Sequence, residues 1–164
     1  MSELALEQYA AIGKLTLSFN HLEVAFELYT GYVLMTPEFQ IGAALASEGM
    51  FRQKADRFSK LLTMIAECHP ALLQRTKGIN ELIKQAKRLS EERNRYVHSF
   101  LVHDTITNTP QLKKGADHVP CDFNKIMNMA GHADVLAVNV HFQCGVLLSE
   151  LESERNKKPP APAI

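Results

Sequence analysis

No excess of cations, no cysteine framework and no long apolar run mark this chain, and each absence removes a class of function. Lys and Arg together number 18 and Asp and Glu together number 18 in 164 residues. That balance argues against a dedicated nucleic-acid coat protein while leaving a local basic patch open. Cys68, Cys121 and Cys144 are scattered and odd in number, which reads as reduced thiols of a cytosolic protein. No stretch approaches the ~20 apolar residues that cross a bilayer, and the N-terminus lacks the basic segment and apolar run of a signal peptide. The expectation is a cytoplasmic chain with no membrane partner. Gly-rich phosphate loops, a Gly-x-Ser-x-Gly elbow and His-Glu-x-x-His are all missing. Cys68-His69 and His118-x-x-Cys121 supply ligand types without a second pair at zinc-finger spacing. His132 and His141 read as sharing one side of the last helical segment, with no carboxylate partner. Neither a metal nor a cofactor is expected.

What is present is helical periodicity. With 46% hydrophobic and 22% charged residues, the chain can bury one real core. Ile12, Leu15, Phe19, Leu22, Phe26, Tyr29 and Val33 alternate at spacings of three and four, predicting a first helix from Glu3 to Met35. Thr36-Pro37-Glu38 reads as N-cap, first-turn proline and acid for a second helix. Ser47-Glu48-Gly49 permits a kink or a new cap there, and the helix resumes through Met50, Phe51, Phe58, Leu61, Leu62 and Ile65 until His69-Pro70 stops it. A third helix carries Leu72, Ile79, Leu82, Ala86 and Leu89 and should end near His98. From Ser99 to Pro120 the period fails. Ser99-Phe100-Leu101-Val102-His103 is short and apolar, and Asn108, Pro110 and Gly115 punctuate the remainder of that stretch, as in a β-hairpin or ordered loop. Asp122 can cap a last helix striped by Phe123, Ile126, Ala130, Ala133, Ala137, Val140, Cys144, Leu147 and Leu151. Its alanines permit close helix approach, suited to a bundle centre or a symmetric subunit contact. The expected fold is all-α: an antiparallel bundle of four to five helices with one excursion before its last helix. It forms a single domain over 1–154, and 155–164 reads as a disordered tail.

The stripe of the third helix runs in steps of three and four directly onto Arg93, within Arg93-Asn94-Arg95-Tyr96-Val97-His98. A guanidinium at a core position is costly unless something pairs with it. It is therefore either glue, paired with Glu27, Glu91 or Glu92, or a site. Asn94 and His98, four apart, can touch and so fix the ring's tautomer. Arg93 and His98 can share a face only if the helix ends between them. An arginine with a titratable imidazole is the minimal set for metal-independent phosphodiester cleavage, one neutralising charge on phosphate and the other moving a proton.

Arg93-Asn94-x-x-x-His98 at the close of a long helix resembles the signature of the HEPN superfamily, an arginine and a histidine separated by a few residues with asparagine favoured after the arginine. The similarity extends over roughly 4–151: a long first helix, a kinked second one entered by Met50-Phe51-Arg52-Gln53-Lys54, the motif helix, an excursion and a final helix. The resemblance implies an all-α homodimer whose motif helices meet across a shared cleft. It further implies a metal-independent endoribonuclease of toxin, antiphage or RNA-processing systems, with RNA or a nucleotide as ligand and an antitoxin protein as a candidate partner. Arg93 would hold the phosphate, His98 would transfer protons, and Asn94 with Arg95 would bind substrate. Some members have a tyrosine two residues after the histidine as a site of nucleotide modification; Phe100 stands there instead. Other members have no known nuclease activity, which leaves open a silent helical dimer binding a nucleotide or a protein. Lys84, Lys87, Arg88, Arg95, Lys113 and Lys114 form a candidate basic rim for RNA, interspersed with Glu81, Glu91 and Glu92.

Overall fold

The structure is a computed structural model that describes residues 3–34, 39–98, 100–104, 109–114 and 117–157. Five α-helices account for most of them: α1 (Glu3–Leu34), α2 (Phe39–Ser47), α3 (Phe51–Cys68), α4 (Leu73–Val97) and α5 (Phe123–Lys157). Thr36-Pro37-Glu38, read as a helix start, lie outside the described residues.

The helices form where apolar residues recur with the helical period, and those residues make the core. Leu15, Phe19, Leu22 and Phe26 of α1 meet Phe51, Phe58, Leu62 and Ile65 of α3, Ile79, Ile83, Ala86 and Leu89 of α4, and the stripe of α5 from Ile126 to Leu151. Phe123, expected to begin that last stripe, is exposed instead. Ala130, Ala133 and Ala137 are buried in the core, so the alanine seam serves the bundle centre. None of the helices is long and apolar enough to cross a membrane among the described residues.

Side-chain pairings fix the directions. Ser59–Asn80 and Arg52–Glu91 set α3 antiparallel to α4. Arg75–Glu150 and Glu92–Lys125 do the same for α4 and α5. On α1 and α5, by contrast, Lys14 meets Asp134 and Tyr29 meets His141, so these two helices run the same way.

The helix ends have local causes. Gly49 takes φ +92, which favours glycine, and a Cβ there would lie 2.5 Å from the Gln53 Oε1. That oxygen accepts from the Met50 N–H at 2.8 Å and caps α3. Arg57 closes the end of α2, donating to the carbonyls of Leu45, Ala46 and Glu48. Pro70 forces α3 to stop, and a single 3-10 turn over Pro70–Leu72 leads into α4. Asp122 caps α5 as expected, its Oδ1 accepting from the Lys125 N–H at 3.0 Å.

Between α4 and α5 the described residues form three antiparallel strands, β1 (Phe100–Asp104), β2 (Thr109–Lys114) and β3 (Asp117–Pro120), in the order β1-β2-β3. This is one strand more than a hairpin supplies. At the other end, α5 runs on through Arg155, Asn156 and Lys157, past the boundary placed at Glu154.

Candidate functional site

Arg93 stands four residues after the buried Leu89 and therefore points to the core side of α4. It is half-buried, with its guanidinium carbon 5.2 Å from the centroid of the Phe19 ring on α1. Its Nη1 donates to the Asn94 Oδ1 at 3.3 Å. Its Nε is buried and has no hydrogen-bond partner among the described residues.

The three acids expected as partners are engaged elsewhere. Glu27 binds the Lys54 ammonium at 2.5 Å, Glu91 lies 3.8 Å from Arg52, and Glu92 lies 3.8 Å from Lys125. No carboxylate pairs with Arg93 among the described residues. The glue reading of Arg93 thus loses its expected partners.

His98 caps α4 with φ −98 and ψ 16, its backbone N–H turned back to the Tyr96 carbonyl, and its side chain is exposed. Helix gives way to strand here because Phe100-Leu101-Val102 enters β1. Spacing assigns Asn94 to orienting the imidazole, but the hydrogen bond observed holds the guanidinium instead. No hydrogen bond or ion pair joins Arg93 to His98 among the described residues.

Arg95 faces another way. It is exposed and lines a groove of about 430 Å³ between α4 and α5, with Arg88, Glu91, Glu92 and His132. The groove continues into a second one of about 370 Å³ containing Asn124, Lys125 and Asn128. The basic rim is partly neutralised, since Lys84 bridges Glu81 at 2.6 Å and Lys87 bridges Asp56. Lys114 is the register partner of Asp117 across β2 and β3, and Lys113 is exposed.

His132 and His141 do not share a side of α5. Nine residues turn a helix through two and a half turns; His132 lines the α4 groove while His141 meets Tyr29 of α1, rings 5.5 Å apart. Among the described residues, no cluster of His, Cys, Asp and Glu could hold a metal ion. Burial pushes the Cys144 thiol up to about 12, and burial with the nearby Asp122 charge raises that of Cys121. Neither is poised as a nucleophile.

Sequence reasoning missed the Lys54 network. Lys54 is buried, and its ammonium lies 2.6 Å from Glu23 and 2.5 Å from Glu27. Burial would lower its pKa, but hydrogen bonds to Glu23 and Glu27 and their charge raise it overall. The signal was Glu23 and Glu27, spaced i,i+4 beside the buried Leu22 and Phe26, with Lys54 beside Phe51 and Ala55. Comparison with protein-family models, curated proteins and solved structures gives no match.

Proposed function

We propose that the chain is a HEPN-like, metal-independent endoribonuclease with Arg93 and His98 as its catalytic pair. The observation that carries this reading is the guanidinium of Arg93, which meets no carboxylate among the described residues, Glu27 being bound to Lys54 and Glu91 and Glu92 lying 3.8 Å from Arg52 and Lys125. A half-buried, preoriented and unpaired cation suits a phosphate that arrives as ligand. Asn94 orients it, and Arg95 with Arg88 offers further charge to the RNA backbone along the α4–α5 groove. In the reaction the ribose 2′-OH attacks phosphorus and the bond to the 5′-oxygen breaks. A 2′,3′-cyclic phosphate and a 5′-hydroxyl result. His98, exposed at the helix end, moves the proton. A cytoplasmic toxin or antiphage role with an antitoxin protein as partner belongs to the same reading.

The second reading is a catalytically silent helical dimer that binds a nucleotide or a protein. The lack of a hydrogen bond between Arg93 and His98 among the described residues favours it. Incubation of purified protein with total RNA in EDTA separates the two. Cleavage that persists in chelator, yields cyclic phosphate ends and vanishes in His98→Ala supports the enzyme. Intact RNA with clean wild-type protein selects the silent dimer.

A further inference from the structure

The groove of about 370 Å³ between α4 and α5 has an apolar floor and polar walls. Leu89 of α4 and Met129 of α5, each 5% exposed, make the floor. The face of a flat heteroaromatic ring can lie on such a surface, and the volume falls within the ~300–1,000 Å³ of small-ligand sites.

The walls do not suit a phosphate. Glu92 and Asp122 bring two carboxylates against the single ammonium of Lys125, while Arg88 and Arg95 line the neighbouring groove. A polyanion gains nothing at this end; a neutral ligand carrying both donors and acceptors does. Glu92 and Lys125 are each about half exposed and lie 3.8 Å apart, near enough to attract but beyond hydrogen-bond length. The carboxylate thus keeps its paired acceptors and the ammonium its donors, side by side. Asn124 and Asn128, four apart and so on one face of α5, make no side-chain hydrogen bond among the described residues.

We infer that this groove is a nucleobase pocket that selects guanine. The bases of single-stranded RNA are told apart by their Watson–Crick edges. Guanine alone presents two adjacent donors, N1–H and the 2-amino group, followed by an acceptor, O6. The Glu92 carboxylate can accept both donors at once and the Lys125 ammonium can donate to O6. Adenine, cytosine and uracil each set an acceptor where one of those donors stands, against the Glu92 charge. The amides of Asn124 and Asn128 remain for the ribose and the rest of the purine edge. The inference rests on the ribonuclease reading for RNA as the ligand. Glu92 immediately precedes Arg93, about 100° round the helix, so the base and the 3′-phosphate of one nucleotide fall on adjoining faces of a single turn. Cleavage is therefore expected after guanosine.

Calorimetric titration of the full chain with the four nucleoside 3′-monophosphates tests the pocket without any cleavable bond. Guanosine 3′-monophosphate should bind about tenfold tighter than the other three, and Glu92→Gln should remove that preference with circular dichroism unchanged. Inosine 3′-monophosphate, which lacks the 2-amino group, should bind wild type several-fold more weakly than the guanosine compound. Equal affinity for all four, binding of none, or a guanine preference that survives Glu92→Gln overturns the proposal. Guanine selection lost in Glu92→Gln, beside RNA that stays intact, upholds the pocket and removes the ribonuclease. RNA cut with no preference for guanosine removes the pocket and leaves the ribonuclease standing.

Discussion

The Arg93 guanidinium lies over the Phe19 ring, 5.2 Å from carbon to centroid, and so a cation occupies a place in the core stripe of α4. The ring face attracts it by about 1 kcal/mol at a half-buried site. The buried Nε without a partner costs about 1–3 kcal/mol. On balance Arg93 strains the fold rather than holding it.

Arg93→Met should therefore stabilise the protein, by about 1 kcal/mol, while abolishing RNA cleavage. Methionine fills a similar volume, keeps a contact with Phe19 and carries no polar atom to leave unpaired. Chemical denaturation of the variant beside wild type measures the first effect. A variant less stable than wild type by 2 kcal/mol or so would return Arg93 to the role of glue.

Lys54 has the opposite effect on the fold. It is buried, and its ammonium binds both Glu23 and Glu27, each about one-quarter exposed. Lys54→Met should cost about 3 kcal/mol, since it leaves two half-buried carboxylates without a cation. Adding Glu23→Gln and Glu27→Gln to that variant should restore much of the loss, because the three residues act as one unit. Additive losses across the set would show that the ammonium contributes packing alone.

These two cations mark where reading the sequence stops. The helical period decides which residues face inward, so the stripes of α1 and α5 and the stop before Pro70 were legible. The same period brings Arg93 to the core side without any view of the neighbouring helices. Which acid meets which base depends on helix rotation and direction. Glu27, a plausible partner for Arg93, proves to belong to Lys54, and Glu91 and Glu92 reach outward to α3 and α5. Spacing alone directs Asn94 toward His98; the bond it makes is to its immediate neighbour.

Asp134 ties α1 to α5, and its titration should appear in the acid limb of stability. Burial alone would raise its pKa, but the hydrogen bond and charge of Lys14, 3.0 Å away, with the charge of His21, hold it below the ordinary 3.8. A carboxyl depressed by folding contributes stability that is full above its unfolded value and is lost as pH falls through the lower folded value. The pair is about one-third to one-half exposed, so the effect is small, roughly 0.5 kcal/mol, and weakens with salt. Wild type should therefore melt above Asp134→Asn at about pH 5. Below 3.8 that margin should close. A margin that stayed the same from about pH 5 to below 3.8 would mean that folding does not depress this carboxyl and that the α1–α5 seam owes nothing to it.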